Sequence, residues 1–288
     1  MKLKAYGKIN LALDVVRKRE DGYHEVRMIM QTVGIFDRIE LFEEKEPGIR
    51  IGTNLSFVPA DESNLAYKAA KLLMDEFQIS SGLSITLEKH IPVAAGMAGG
   101  STDAAAVLFG VNRLFGLGLS KEQLMERGVK IGADVPYCIM RGTALSEGIG
   151  EILTPLPAAP KCSLLIAKPG ISVSTKYVYE NLHANSLKKH PDIDGMIAAI
   201  RENDLRGVTD RMENVLETVT AEKYPVIEEI KACMREQGAM NALMSGSGPT
   251  VFGIFAAEEE ARRAYEVLAE KNLAKQLFVT CMKNFNEE

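Results

Sequence analysis

A run of small residues that leads into two hydroxyl side chains is the segment of this sequence best suited to chemistry. It extends from Pro92 to Asp103, is rich in glycine, and is followed by apolar residues at helical spacing. Glycines let backbone N–H groups approach an anion closely, and a helix start adds unpaired N–H donors and the positive end of the helix dipole. The pattern predicts a phosphate-binding loop. The alternative is a glycine-rich turn in which Ser, Thr or Asp caps the helix.

The hydroxyls of Ser101 and Thr102 give this loop a second capacity, because they could bind phosphate or contribute oxygen to the shell of a Mg²⁺ ion. The loop is not a P-loop, since no lysine follows its last glycine, and it lacks the G-x-G-x-x-G spacing of a dinucleotide-binding turn. Phosphate binding would therefore depend on the glycines and on the helix start.

Four shorter segments carry further candidates, each with a plainer alternative. Lys8 lies at the start of a stretch of alternating apolar residues and is a candidate site residue. The plainer alternative is that its side chain extends to water, as lysines beside apolar strands often do. Asp134 lies between small and apolar residues and could simply form a turn. The glycine loop at 246–248 could be a hairpin turn, although two glycine-rich loops can also meet where a ligand binds. Tyr23 and His24 follow an Asp-Gly turn signal and could be a packed aromatic pair.

Composition limits the class of protein. The 288 residues carry 34 Lys and Arg against 39 Asp and Glu, and the formal net charge of −5 argues against nucleic acid or an anionic membrane surface as the main partner. The sequence has neither the apolar core of a signal peptide nor a run of ~18–20 apolar residues, so we expect a cytoplasmic protein. Its 4 cysteines and 4 histidines are scattered, which predicts neither a disulfide framework nor a protein-ligated transition metal.

The elements that must position these residues alternate between strand and helix. In the first half we predict strands near residues 11–15, 35–42, 83–87, 137–140 and 143–147. Helices are predicted near 64–77, from 104 to 115 and near 121–130. Asp61 and Ser63 are the cap candidates for the first helix, and Gly116 and Gly118 end the second.

A segment with three prolines, residues 154–160, is the predicted domain boundary. Beyond it, the order is strand 163–167, helices, strands 242–245 and 250–255, helix 258–269 and strand 276–281. This is the β-α-β-β-α-β order of a split βαβ, or ferredoxin-like, domain with extra helices in its first crossover. The whole chain is predicted to be α+β.

In combination, these segments resemble the GHMP kinases, the superfamily of galactokinase, homoserine kinase, mevalonate kinase and phosphomevalonate kinase. Its members share an early strand bearing a lysine, a glycine-rich loop before a helix and a late S-G-S-G-type loop. A closer resemblance is to the branch that acts on a cytidine-diphosphate-linked methylerythritol. It rests on four segments and covers about residues 2–283: AYGKINL at 5–11, REDGYHE at 19–25, IGADVP at 131–136 and EGIGE at 147–151.

The resemblance implies a two-domain architecture. Residues 1–155 would form an ATP-binding α/β domain like domain 2 of ribosomal protein S5, and residues 156–288 a ferredoxin-like domain. It also implies transfer of the γ-phosphoryl group of ATP, with Mg²⁺, to the 2-hydroxyl of the acceptor in non-mevalonate isoprenoid biosynthesis. Asp134 would accept the hydroxyl proton, and Lys8 would lie against Asp134 and the acceptor oxygen, where its charge favours the ionised carboxylate.

The remaining site residues implied by the resemblance bind the two substrates. The loop at 96–103 would hold the ATP phosphates. The full ATP-binding set is Asn64, Pro92, Val93, Ala94, Ala95, Gly96, Met97, Ala98, Gly99, Gly100, Ser101 and Thr102. For the acceptor, His24 would hydrogen-bond the cytosine and Tyr179 would stack on it. The full acceptor-binding set is Asn10, Tyr23, His24, Thr175, Tyr179, Gly246 and Gly248.

Two other interpretations are compatible with the sequence. One is a GHMP kinase for a different small molecule, such as mevalonate or a sugar, against which Tyr23, His24 and Tyr179 argue because those substrates carry no cytosine. The other is a non-catalytic nucleotide-binding protein, against which Lys8 and Asp134 argue because a pure binder needs neither. No nucleic-acid or membrane partner is expected, and a monomer or a weak homodimer is expected.

Overall fold

The computed structural model describes residues 1–187 and 189–285. The chain divides into two compact units that interleave along the sequence. The first unit contains residues 1–7, 35–93 and 98–140, and the second contains residues 8–34, 94–97 and 141–288. This division differs from the predicted domains, 1–155 and 156–288, because the two long N-terminal strands each contribute to both units.

These long strands are β1, Lys2–Lys18, and β2, His24–Glu44, which pair with each other. In the first unit, the second part of β2 pairs antiparallel with β4, Gly82–Glu88, and β4 pairs parallel with β3, Gly48–Thr53. Buried aliphatic side chains along β2 and β4 form one face of this sheet. Their alternation with exposed residues is the period-two pattern that predicted the strands.

Four helices complete the first unit: α1, Leu65–Glu76; α2, Gly99–Leu114; α3, Lys121–Val129; and α4, Val135–Met140. Helix α2 lies directly on the sheet. A Cβ added at Gly110, in its centre, would come within 2.2 Å of a Leu41 methyl carbon and 2.8 Å of a Leu3 methyl carbon. This close approach fixes α2, and with it the end of the glycine-rich loop, against β1 and β2.

In the second unit, the first part of β2 pairs antiparallel with β5, Thr143–Gly148, which pairs with β6, Ile152–Pro155. A second sheet contains β7, Ser163–Lys168; β8, Asn241–Met244; β9, Val251–Phe255; and β10, Gln276–Cys281. Its order is β10-β7-β9-β8 and its pairings are antiparallel. The predicted split βαβ arrangement is thus confirmed.

The helices of the second unit are α5, Thr175–Asn181; α6, Ile193–Arg201; α7, Leu205–Asp210; α8, Glu217–Lys223; α9, Val226–Glu236; and α10, Glu258–Glu270. A 3₁₀ turn at Ala184–Ser186 follows α5. Helices α9 and α10 pack against the second sheet through buried apolar faces. Within the described part of the chain, no helix combines the length and hydropathy needed to cross a bilayer.

Three local predictions were wrong. Residues 137–140 are not a strand, because they lie in α4. A short apolar run between turns has no period that separates strand from helix, and Pro136 suits the first turn of a helix. Helix α2 begins at Gly99, before the hydroxyl residues, and α1 is capped by Asn64 rather than by Asp61 or Ser63.

Candidate active site

The first half of the glycine-rich loop, residues 94–97, belongs to the second unit and joins two other predicted segments there. Gly96 has φ +73°, and a Cβ at this position would lie 2.1 Å from the Ser245 carbonyl oxygen, so only glycine fits. The Ser245 hydroxyl donates to the Gly96 carbonyl at 2.9 Å. The Lys8 amide donates to the Met97 carbonyl at 3.2 Å. The early strand and the late loop therefore meet at this half-loop.

The late loop, residues 245–248, is held by an asparagine that we did not predict. Asn214 is 3% exposed, and its Nδ2 donates to the Met244 and Gly246 carbonyls, each at 2.8 Å. Its Oδ1 accepts from the Leu216 amide at 3.0 Å. The side chain thus uses its donor and acceptor groups to fix the loop and the start of α8 together.

Further hydrogen bonds hold the remainder of this loop. The Thr220 hydroxyl donates to the Ser247 carbonyl at 3.2 Å, and the hydroxyls of Thr175 and Ser247 lie 2.8 Å apart. Thr175 was predicted to bind the acceptor, as were Gly246 and Gly248. The second unit therefore brings Thr175 to the late loop.

Lys8 and Asn10 form a buried polar pair on β1. Lys8 is 5% exposed and Asn10 is 0% exposed. The Lys8 Nζ donates to Asn10 Oδ1 at 2.8 Å, and Asn10 Nδ2 donates to the Met28 sulfur at 3.1 Å. Because Lys8 is buried, the alternative in which its side chain extends to water is wrong. A buried ammonium is a strong local positive charge, since little water screens it.

The second half of the loop belongs to the first unit and opens α2. Ala98 adopts the left-handed conformation with φ +56°, and no side chain caps the helix. The capped-turn alternative for Ser101, Thr102 or Asp103 is therefore wrong. Because the first-turn amides of a helix have no intrahelical acceptor, those that begin at Gly99 keep the donor capacity that an anion needs.

Thr102 and Asp103, which follow directly, are both buried. The Thr102 hydroxyl donates to the Tyr6 carbonyl of β1 at 2.7 Å, so it ties α2 to the sheet. This leaves Ser101, which is only partly buried, as the better placed hydroxyl for a phosphate or for Mg²⁺.

Asp103 belongs to a buried triad of ionisable side chains with Lys89 and Asp37. The Lys89 Nζ donates to Asp103 Oδ2 at 2.5 Å and to Asp37 Oδ2. Burial, together with the charge of Asp37, raises the pKa of Asp103 from 3.8 to about 8. Although burial opposes it, the two carboxylates raise the pKa of Lys89. We predicted a role for neither Lys89 nor Asp37.

Two further predicted residues of the first unit lie at helix starts. Asp134 is partly buried and directly precedes α4, and its carbonyl accepts from the Cys138 amide at 3.1 Å. Asn64 caps α1: its Oδ1 accepts from the Ala66 amide at 2.9 Å and its Nδ2 donates to the Pro59 carbonyl at 2.7 Å. Asn64 thus has a structural role whether or not it contacts a nucleotide.

Two aromatic residues predicted to hold a planar base lie together in the second unit. The rings of His24 and Tyr179 have centroids 5.1 Å apart and an interplanar angle of 43°. Burial, and to a smaller extent the charge of Lys18, lower the pKa of His24, so its neutral form is favoured. A neutral imidazole offers one donor and one acceptor nitrogen. Tyr23, by contrast, is 60% exposed at the β1–β2 turn.

Comparison with known proteins identifies the family. The GHMP kinases N terminal domain family matches residues 64–142, and the GHMP kinases C terminal family matches residues 196–274. A 4-diphosphocytidyl-2-C-methyl-D-erythritol kinase of Lachnoclostridium phytofermentans is 58% identical over 278 residues, which is 96% of each chain. The chain belongs to this kinase family.

Other comparisons agree with this membership. A 4-diphosphocytidyl-2-C-methyl-D-erythritol kinase of Lachnospira eligens is 56% identical over 280 residues, 97% of each chain. The crystal structure of a 4-(cytidine 5'-diphospho)-2C-methyl-D-erythritol kinase superposes with a TM-score of 0.85 at 30% identity and covers 99% of this chain and 100% of that one. The predicted two-domain GHMP kinase architecture is confirmed, and the protein is a kinase.

Within this kinase family architecture, the predicted site residues divide between the two units. The second unit contains Lys8, Asn10, Tyr23, His24, Thr175, Tyr179, Gly246, Gly248 and the half-loop 94–97. The first unit contains Asn64, Pro92, Val93, Ala98, Gly99, Gly100, Ser101, Thr102 and Asp134. Among the described residues, no group of three or more His, Cys, Asp or Glu side chains could hold a metal ion.

Proposed function

We propose that the protein transfers the γ-phosphoryl group of ATP to the 2-hydroxyl of 4-diphosphocytidyl-2-C-methyl-D-erythritol. The products are the 2-phosphate and ADP, and the reaction belongs to non-mevalonate isoprenoid precursor biosynthesis. The observation that carries this specificity is the contact between His24 and Tyr179, because it places a flat aromatic surface beside a neutral imidazole. A cytosine ring needs both, whereas a sugar or mevalonate needs neither.

ATP phosphates bind the glycine-rich loop, residues 92–102, in this proposal. The uncapped start of α2 supports it, because amides without intrahelical acceptors and the positive end of the helix dipole both favour a polyanion. The conformation of Gly96 supports it as well, since a turn without side chains leaves backbone amides accessible. Asn64 lies near the adenosine.

Asp134 is the proposed general base. Its carboxylate accepts the proton of the acceptor hydroxyl while that oxygen forms a bond to the γ-phosphorus, and the bond from the γ-phosphorus to the β,γ-bridging oxygen breaks to release ADP. General-base catalysis of this kind contributes about 10²–10⁴-fold. Lys8 supplies the positive charge that stabilises the acceptor oxygen, and its burial supports this role because a poorly screened ammonium acts more strongly.

ATP and the Ser101 hydroxyl would hold Mg²⁺ at this site. When bound, it neutralises charge on the β- and γ-phosphates. Mg²⁺ prefers oxygen ligands, which phosphates and water would supply, and the Ser101 hydroxyl is the candidate oxygen from the chain. Thr102 is a weaker candidate, since its hydroxyl already donates to the Tyr6 carbonyl.

The acceptor is held through its cytosine and its diphosphate. Tyr179 stacks on the cytosine, His24 hydrogen-bonds its edge, and Tyr23 covers the outer side. Asn10 and the late loop, with Gly246, Gly248 and Thr175, lie near the diphosphate. The hydrogen bonds that fix the late loop support this assignment, because a pre-formed loop need not be ordered when the ligand binds.

The enzyme acts in the cytoplasm as a monomer or weak homodimer.

A coupled ADP-release assay with ATP, Mg²⁺ and three separate acceptors tests this proposal. The acceptors are 4-diphosphocytidyl-2-C-methyl-D-erythritol, mevalonate and galactose. We expect ADP release with the first alone. Release with mevalonate or galactose instead would retain a GHMP kinase but remove the cytosine specificity. No release with any acceptor would favour a nucleotide-binding protein without catalytic activity.

A further inference from the structure

The buried triad of Lys89, Asp37 and Asp103 is the feature that the proposed reaction leaves unexplained. All three residues are in the first unit and none is more than 7% exposed. Removing charges from water is unfavourable, and buried ion pairs often stabilise a fold no better than apolar side chains of similar size. The Asp103 Oδ1 adds to this cost, because it is buried and has no hydrogen-bond partner. Stability alone is therefore a poor reason for this cluster.

The base of the triad is rigid. Asp37 Oδ1 accepts from the amides of His90 and Ile91, at 2.5 and 2.8 Å. The backbone of Lys89 is fixed on both sides, because its amide donates to Asn54 Oδ1 at 2.8 Å and its carbonyl accepts from Asn54 Nδ2 at 3.2 Å. The ammonium group is consequently held at one point relative to β2 and β4.

From this point, the lysine reaches the start of α2. In addition to the two carboxylates, the Lys89 Nζ donates to the Gly99 carbonyl at 3.3 Å. An ammonium has three donors, and these three acceptors use all of them. Gly99 is the first residue of α2 and Asp103 lies one turn further, so one side chain holds the first turn at both ends.

The first turn of α2 needs such support. No side chain caps it, and the preceding residue, Ala98, has φ +56°, a conformation that is unfavourable for an L-residue. A helix start that binds an anion cannot also use its amides for a cap. Because Lys89 holds the turn through the Gly99 carbonyl and the Asp103 side chain, the amides of the turn stay available.

We propose that Lys89 and Asp103, anchored by Asp37, are positioning residues that hold the first turn of α2 in the geometry required to bind the ATP phosphates. This inference rests on the proposed use of the glycine-rich loop for ATP. The triad is buried, and it acts through the backbone at Gly99 to Ser101.

The test compares Lys89→Met with a matched control, Lys231→Met. Lys231 is 5% exposed, pairs with Glu217 and Glu228 at 2.6 and 2.7 Å, and lies in the other unit. Both variants should lower the thermal midpoint. We expect Lys89→Met to raise KM for ATP at least about tenfold with KM for the acceptor within about twofold, and Lys231→Met to leave KM for ATP within about twofold.

Substitutions of Asp103 provide a second test of the same proposal, which applies even where the Lys89→Met protein does not fold. Asp103→Asn keeps the shape and one acceptor for Lys89, so KM for ATP should stay within about threefold of wild type, whereas Asp103→Leu should raise it at least about tenfold. Calorimetry with ATP on the wild-type protein separates the two proposals. If the wild type does not bind ATP, the loop assignment fails. If the wild type binds ATP, only the positioning role can fail, and it fails in either of two cases. In the first, folded Lys89→Met or Asp103→Leu binds ATP as tightly as wild type. In the second, either variant raises KM for ATP and KM for the acceptor by the same factor.

Discussion

The ring of Tyr179 lies against the imidazole of His24, with centroids 5.1 Å apart and planes inclined by 43°. The two residues are far apart in the sequence, on β2 and α5, and the second unit brings them together. A tilted pair of this kind is a favourable aromatic arrangement. The pair offers the Tyr179 ring for stacking on a pyrimidine base and an imidazole nitrogen of His24 for a hydrogen bond to the edge of that base.

Tyr179→Ala should therefore weaken binding of the acceptor but not binding of ATP. Loss of stacking is worth about 1–3 kcal/mol, so KM for the acceptor should rise by about 5- to 150-fold while KM for ATP stays within about twofold. Tyr179→Phe should behave like wild type because it keeps the ring. Tyr177→Ala, two residues earlier on α5 and 38% exposed, is the matched control. Equal changes in both KM values would remove the stacking assignment.

Asp134→Asn should abolish most turnover without loss of nucleotide affinity. The amide is nearly isosteric but cannot accept the hydroxyl proton, so kcat should fall by about 10²–10⁴-fold. The Kd for ATP, measured by calorimetry, should stay within about twofold of wild type. Asp75→Asn, an exposed carboxylate in the same unit, controls for the change of charge. A kcat within about tenfold of wild type would exclude Asp134 as the base.

Asn214→Ala should loosen the late loop. In the wild type, Asn214 Nδ2 donates to the Met244 and Gly246 carbonyls, and the substitution removes this donor. Because buried carbonyls are then left without a partner, the free energy of unfolding should fall by about 1–3 kcal/mol. KM for the acceptor should rise more than KM for ATP. Urea denaturation and steady-state kinetics measure the two effects, with Asn181→Ala on the exposed face of α5 as the control. An unchanged free energy of unfolding would show that the Asn214 side chain does not hold the late loop.

The raised pKa of Asp103 predicts how stability depends on pH. Between its ordinary value of 3.8 and the folded value of about 8, the folded protein keeps a proton that the unfolded chain releases. Unfolding then releases a proton, so this contribution to stability is full below about pH 4 and is lost as the pH rises towards about 8.

Asp103→Asn removes this titration, and its unfolding free energy should depend less steeply on pH. Each pH unit in the range accounts for up to about 1.4 kcal/mol of the difference from wild type. Urea denaturation of both proteins at several pH values between about 5 and 8 measures the slopes. Parallel slopes for the two proteins would contradict the assignment of the proton to Asp103.

Regular elements with a strong period were predictable from sequence. Helix α2 shows apolar residues at helical spacing, and the element order from β7 to β10 gave the split βαβ arrangement. The strand at 137–140 was wrong because four apolar residues do not define a period, and they form part of α4. The interleaving of the units was missed because β1 and β2 are longer than the predicted strands and each serves both units.

The candidate site was predictable where a residue type is unusual for its surroundings. Glycine runs, Lys8 within an apolar strand and Asp134 among small residues all stand out locally. The contacts made by Asn214 and Lys89 have no such local signal, because their partners lie far away in the sequence: 32 residues separate Asn214 from Gly246, and 52 separate Lys89 from Asp37. One signal for the triad was available, since Asp37 is a carboxylate at a position of β2 that alternates in step with the apolar residues Ile35 and Ile39.

Phosphorus NMR of the product formed from 4-diphosphocytidyl-2-C-methyl-D-erythritol, ATP and Mg²⁺ tests the proposed reaction most directly. Transfer to the 2-hydroxyl predicts one new monophosphate ester resonance that grows in step with ADP, assigned to the 2-position by coupling to the neighbouring carbons, and an intact cytidine diphosphate. A phosphate on another hydroxyl, or ADP release without a new ester, would contradict it.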